Sequence, residues 1–386
     1  DPKGAVRLAG ELSRLRGAAL KLGQLISMDA GELVPPDLAP VLERMRDQAD
    51  PMPPRQLRGV LDAAWGRDWL SRFERFQVRP VAAASIGQVH HARTRDGREL
   101  AVKVRYPGVR ESIDSDVDSL AALVRWSGQA GGRTDFDSFV EAAKAQLHAE
   151  ADYAQEAANL TRYAGLIGDD ERFAVPGLHA EYCAEGVLAM DWMAGAPVER
   201  LDDAFQTTRD TVAERLVALF LDELLRFGVS QSDPNFANFR YDAETDRVVL
   251  LDFGSVVEMP PRLSLAYRDL LGAALDDDAD GLRAGAVAAG FLAEDTPGDL
   301  AQAVTDIMRT AGEPLRADGR YDFSRSDLAR RLRDEGWALR KAAAQLPTPP
   351  VAAMHVQRKA AGLFLLCRTL QARIPVRDIA QAALRR

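Results

Sequence analysis

The chain has 386 residues, of which 47% are apolar and 28% charged, and a formal net charge of −9. This balance excludes a disordered chain, a collagen and a bare coiled coil, and the length predicts two or three compact units. The acidic excess excludes a dominant basic nucleic-acid surface, so no nucleic-acid partner is expected.

Residues 5–28 read as an amphipathic helix, because Ala5, Leu8, Leu12, Leu15, Ala19, Leu22 and Ile26 recur at spacings of three and four. Val34-Pro35-Pro36 breaks the pattern, a short helix follows, and Asp50-Pro51-Met52-Pro53-Pro54 is a linker. Residues 1–55 are therefore expected to be a helical extension. Residues 73–81, 87–93 and 100–105 are strand candidates, with Arg95-Asp96-Gly97 as a hairpin turn. Long helices are predicted over 109–128 and 135–166, and a strand over 186–193. Beyond Gly195 the chain reads as helical, including 209–228, apart from a β-rich interval at 239–252. A small β-rich part (56–193) ahead of a large helical part (194–386) is an α+β, two-lobed layout. No run of 18 apolar residues is found, so no membrane-spanning helix is predicted. The chain starts at Asp1 rather than Met, which reads as a truncated piece or a processed chain, with any upstream targeting segment out of view.

Four short elements follow one another in a fixed order. Ala82-Ala83-Ala84-Ser85-Ile86-Gly87-Gln88-Val89 matches the kinase phosphate loop G-x-G-x-x-G-x-V at Ala82, Ala84, Gly87 and Val89, with alanine in place of the first two glycines. Alanine adds a methyl and restricts φ, so the loop should grip phosphate differently from a glycine-rich one. Sixteen residues after Gly87, Leu100-Ala101-Val102-Lys103 places a lysine between apolar strand residues, where it must face a cleft or be paired. Asp233-Pro234-Asn235-Phe236-Ala237-Asn238 has the D-x-x-x-x-N spacing of a kinase catalytic loop. Nineteen residues after Asp233, a buried apolar strand delivers Asp252-Phe253-Gly254, the D-F-G pattern whose Asp coordinates Mg²⁺. Each piece alone is commonly structural; four in order point to a nucleotide site.

The combination resembles the UbiB/AarF family of atypical protein-kinase-like proteins, which is linked to ubiquinone (coenzyme Q) biosynthesis. The resemblance rests on the alanine-rich stretch 82–90, on Lys21-Leu22-Gly23-Gln24 as a K-x-G-Q signature, and on Glu150-Ala151-Asp152-Tyr153 with Glu156-Ala157-Ala158-Asn159 as its E-x-D helix. It extends to residues 355–375. The family often has H-A-D-P-H-P-G-N at the catalytic loop, where this chain reads Gln231-Ser232-Asp233-Pro234-Asn235-Phe236-Ala237-Asn238, keeping the Asp and the Asn. No membrane-spanning tail like that of some members is seen.

The resemblance implies a two-lobed protein-kinase-like fold that binds ATP or ADP with Mg²⁺ and carries out slow ATP hydrolysis or phosphoryl transfer. Lys103 would hold the α/β-phosphates, Glu156 would orient Lys103, Asn238 and Asp252 would carry Mg²⁺, and Asp233 would orient the attacking hydroxyl or water. Ala82, Ala83, Ala84, Ser85 and Gly87 would cover the phosphates, and the segment Asp191 to Met193 would be the hinge that holds adenine. Lys21 and Gln24 share one helix side, expected over the cleft, where they would obstruct a protein substrate. Glu150 and Glu156 are six apart, about 240° around an ideal helix, so Glu150 is expected to face the Lys21/Gln24 side. Implied partners are lipid or quinone precursors, a membrane surface and ubiquinone-biosynthesis proteins, with a cytoplasmic, membrane-peripheral location. The alternatives are a non-catalytic nucleotide-dependent scaffold and a small-molecule phosphotransferase. Cys183 and Cys367 read as buried, reduced and structural, and His90 as a strand residue rather than a metal ligand. Only six lysines occur.

Overall fold

The structure is a computed structural model that describes residues 51–84, 86–126, 134–231, 236–339, 342 and 345–386. The helix expected over 5–28, with Lys21 and Gln24, lies outside the described residues, as do Ser85 and Asp233. The chain divides into two units. The first runs through Gly165 and adds Val175–Met193 and Asp252–Ser255; the second holds Leu166–Ala174, Ala194–Leu251 and Val256–Arg386.

In the first unit, helix α1 (Pro54–Trp65) opens with a proline in its first turn and is closed by Gly66 at φ 84°. It buries Leu57 and Leu61. Five strands follow: β1 (Phe73–Phe76), β2 (Ala82–Ala84), β3 (Gly87–Thr94), β4 (Glu99–Arg105) and β6 (Val187–Asp191), the number β5 being kept for Phe173–Ala174 of the second unit. They form one antiparallel sheet in the order β1-β3-β4-β6, with β2 also paired to β3. Strand alternation in β4 buries Leu100, Val102 and Val104 completely, each worth roughly 1.5–3 kcal/mol. Lys103 and Arg105 consequently face the other side. Trp65, Trp69 and Phe73 recur every four residues and pack ring to ring at 5.4–6.2 Å with one another.

Two expectations are corrected here. The strand expected over 73–81 ends at Phe76, and the alanines pair with β3 as a strand of their own, Ala82 opposite Val89, Ala83 opposite Gln88 and Ala84 opposite Gly87. The helix expected over 135–166 is interrupted. Helix α2 (Val109–Trp126) is followed by α3 (Thr134–Ala151) and α4 (Tyr153–Ile167). Asp152 stands between the last two and caps α4, its Oδ1 accepting from Ala154 N at 3.1 Å and Gln155 N at 3.0 Å. The 240° separation of Glu150 and Glu156 on one ideal helix therefore does not apply.

Buried polar groups of this unit are joined to one another. Met52 N donates to Gln88 Oε1 at 2.8 Å, Gln88 Nε2 lies 2.8 Å from His90 Nε2, and His90 Nδ1 lies 2.7 Å from the Gln77 carbonyl. His90 is thus a strand residue, fully buried. Cys183 is only partly buried, unlike Cys367, which corrects the expectation that both are enclosed.

In the second unit, β5 pairs parallel with β10 (Arg247–Leu250), which pairs antiparallel with β9 (Phe239–Asp242), itself paired with β7 (Ala196–Pro197). Helix α5 (Gln206–Asp222) continues into a π turn over Glu223–Phe227, ended by Gly228 at φ 68°, which then feeds β8 (Val229–Gln231). Strand β8 pairs with β11 (Val256–Glu258). Glu223, fully buried, accepts from Ser230 Oγ at 3.0 Å and pairs with the buried Lys359. A second apolar core gathers Leu263, Leu270, Leu282, Phe291 and Val356.

Candidate nucleotide site

Lys103 lies opposite Val89 on β3 and Leu188 on β6, in the middle of the sheet. Its Nζ donates to Glu156 Oε1 at 2.7 Å and to Oε2 at 2.9 Å. The two side chains are 13% and 1% exposed, so the pair is shielded from solvent. Glu156 stands in the first turn of α4. Asn159 and Tyr163 follow at three and seven residues, on the same helix face. Asn159 Nδ2 donates to the Phe253 carbonyl at 2.9 Å, and the Phe253 ring, 1% exposed, packs 5.1 Å from Tyr163. The Asp252-Phe253-Gly254 turn is thereby fastened to the helix that carries Glu156. Gly254 N donates to Asp252 Oδ1 at 2.9 Å.

Two carboxylates share one ammonium here. Burial opposes charge on Lys103, but Asp252, Glu156 and Tyr153 outweigh it and hold the lysine well above its ordinary range. Burial pushes Glu156 up to about 7; Lys103 pulls against the rise, and Asp252 and Glu150 add to it. Asp252 supplies a hard carboxylate oxygen here, and among the described residues it is not part of any cluster of three or more His, Cys, Asp or Glu side chains that could hold a metal ion.

The alanine hairpin is built on Gly87. A Cβ there would lie 2.4 Å from the Val104 carbonyl oxygen and 2.8 Å from the Tyr153 hydroxyl, so only glycine fits. Ala82 and Ala83 are exposed and Ala84 half-buried. The Tyr153 ring lies 5.4 Å from Lys103 Nζ, and its hydroxyl is buried without a hydrogen-bond partner among the described residues.

Asp191 ends β6 with its amide donating to Gly177 O at 2.9 Å, while its carboxylate accepts from Gly177 N at 2.7 Å and meets His179 Nε2 at 2.8 Å. Trp192 N donates to Glu99 O at 2.9 Å, and its ring packs 4.3 Å from His91. The side chain and amide of Asp191 are thus committed to Gly177 and His179; Met193 is half-buried. Asn238 belongs to the second unit, is 8% exposed, and its carbonyl accepts from Leu251 N at 3.0 Å.

The structure brings together Lys103, Glu156, Asp252 and Gly87. Sequence reasoning passed over Tyr153, Tyr163, His179 and the Gln88–His90 pair. For Tyr163 the spacing from Glu156 was available; the others are found only through their partners in space.

A lysine–glutamate pair across a strand and a helix, beside an Asp-Phe-Gly turn, is the organisation of a protein-kinase-like fold. The ABC1 atypical kinase-like domain matches residues 44–285. The chain is 37% identical over 377 residues to the mitochondrial atypical kinase COQ8B of Rattus norvegicus, covering 98% of this chain and 71% of that one. It is 36% identical over 371 residues to the mitochondrial atypical kinase COQ8 of Saccharomyces cerevisiae, covering 95% and 74%. A solved structure from Mycobacterium tuberculosis, described as a complex of Rv3197 with erythromycin, matches with a TM-score of 0.68 and 28% identity, over 98% of this chain and 95% of that one. The chain belongs to the ABC1 (UbiB/COQ8) family of atypical kinase-like proteins.

Proposed function

We propose that the chain is an atypical kinase or ATPase that binds an adenine nucleotide with Mg²⁺ and supports ubiquinone biosynthesis. The observation that carries this reading is the buried Lys103–Glu156 ion pair with the Asp252 charge acting on both partners. In this reading Glu156 holds Lys103 charged and aimed, and Lys103 offers its remaining donor capacity to the α/β-phosphates. The alanine hairpin covers the phosphates, and the backbone near Met193 faces adenine, since Asp191 is committed elsewhere. Asp252 and Asn238 would hold Mg²⁺, which when bound neutralises charge on the phosphate oxygens. Asp233 would orient the attacking hydroxyl or water, and Lys21, Gln24 and Glu150 would regulate access. The biological role, with lipid or quinone precursors, a membrane surface and ubiquinone-biosynthesis proteins as partners, is supported by membership of the family.

The test is calorimetric titration with ATP and ADP, with and without Mg²⁺, on the wild type and on Lys103→Met, together with nucleotide turnover with and without lipid vesicles. Mg²⁺-dependent binding that weakens tenfold or more in the variant is expected. A wild type that binds neither nucleotide sinks the reading; binding without turnover under any of these conditions assigns the chain to the nucleotide-dependent scaffolds instead.

A further inference from the structure

The buried chain of groups beside the alanine hairpin has fixed proton directions. The Met52 amide has one proton and gives it to Gln88 Oε1. The Nε2 end of the same side-chain amide therefore faces His90 Nε2. An amide NH₂ only donates, so the ring Nε2 must accept and carries no proton. The neutral imidazole then keeps its proton on Nδ1, which donates to the Gln77 carbonyl. Gln88 and His90 are both 0% exposed, so water does not compete for these bonds. The His90 ring is otherwise enclosed by the Phe76 ring, stacked at 5.3 Å, with Val102 opposite on β4.

We propose that Gln88 and His90 are positioning residues that fasten Met52 to the strand that carries the alanine hairpin. Gln88 lies opposite Ala83, and its neighbour Val89 lies opposite both Ala82 and Lys103. Holding Gln88 from the buried side holds Gly87–Val89 in register, and therefore the spacing between hairpin and Lys103. The functional consequence, control of nucleotide affinity, rests on the reading given under Proposed function.

A second proton on His90 sets N–H against N–H at Gln88. The amide answers only by turning over, which presents its NH₂ to the Met52 amide, so one bond is lost either way. Burial holds the imidazole below its ordinary 6.5, against the pull of the Gln77 carbonyl, and keeps the relay in its bonded form.

The experiment uses the full chain, isotopically labelled. Long-range ¹H–¹⁵N spectra of the wild type should show His90 neutral with the proton on Nδ1; an Nε2–H tautomer or an imidazolium at neutral pH overturns the proposal and needs no variant. Hydrogen exchange at the Met52 amide should accelerate tenfold or more in Gln88→Met. In Gln88→Glu, which keeps an acceptor for Met52, protection should survive while His90 becomes protonated against the new carboxylate. Unchanged Met52 exchange in Gln88→Met overturns the fastening. Titration of ATP and ADP with Mg²⁺ completes the test. An affinity change of threefold or more in Gln88→Met supports positioning, and unchanged affinity with lost Met52 protection overturns it. A wild type that binds no nucleotide overturns the functional reading, while the tautomer and exchange results still decide the relay.

Discussion

The Tyr153 hydroxyl illustrates how one atom can be tested without disturbing its surroundings. It is buried beside Gly87 and has no hydrogen-bond partner among the described residues, a situation that costs about 1–3 kcal/mol. Tyr153→Phe keeps the ring over Lys103 and removes only that oxygen. The expected outcome is stability that is unchanged or raised by up to about 1 kcal/mol in urea unfolding, against the loss that removal of a bonded hydroxyl would bring. Glu156 makes a second prediction. Its folded-state value, about 7, lies above the ordinary 4.5, so the folded protein binds the extra proton in between. The contribution of this group is full below 4.5 and is lost as pH rises through about 7. Glu156→Gln removes that loss. The stability of the variant relative to wild type should therefore rise across this window in denaturant titrations at successive pH values. Lys103 and Asp252 were legible in the sequence because they match short motifs at fixed spacings, and Glu156 was legible only through the family resemblance. Tyr153, Gln88 and His179 were not, because an uncharged or ambivalent polar group acquires its role only from the partner that folding brings to it.

At the level of elements, the alanine hairpin is held by close backbone approach. Gly87→Ala places a methyl against the Val104 carbonyl, a backbone atom that cannot yield without moving β4. A loss of at least about 1–3 kcal/mol is expected, measured by thermal or urea unfolding. Ala84→Gly tests the opposite end of the same pair. It frees the backbone opposite Gly87, and the ratio of ATP to ADP affinity should shift toward ATP; tenfold requires only about 1.4 kcal/mol. An unchanged ratio in paired titrations makes these alanines packing residues. The strands around 87–94, 99–105 and 187–191 and the helices over 109–126 and 206–222 were legible from alternation and periodicity, whereas helix α1 and the short strands β5, β7, β8 and β11 were not. Nor was the break at Asp152. The apolar pattern passes across it uninterrupted, and an aspartate that caps a helix looks, in a string of letters, like one that rides on its surface.

For the whole molecule, the proposed nucleotide binding would be linked to stability. A ligand at one hundred times its dissociation constant stabilises the state that binds it by about 2.7 kcal/mol. Thermal unfolding with ATP or ADP should shift upward in the presence of Mg²⁺, and Asp252→Asn should abolish the Mg²⁺-dependent part. A shift that survives unchanged in this variant removes Asp252 from the metal site. The α+β class and the order of the small β-rich and large helical parts were readable from the positions of strands, turns and helices. The assignment of residues 166–174 to the second unit and 252–255 to the first was not, because linear order carries no record of which distant surface a short segment is buried against.

Lysine scarcity gives this chain an unusual chemical address. Of its 49 lysines and arginines only six are lysine, and the three within the described residues, Lys103, Lys144 and Lys359, all lie against carboxylates. Amine chemistry therefore has few places to act. Reductive methylation with isotopically labelled formaldehyde has only a handful of lysines to modify, and Lys103, shielded and held charged by its carboxylates, should react slowly. A surface whose positive charge is almost all guanidinium leaves that one amine as a built-in reporter of what occupies its surroundings.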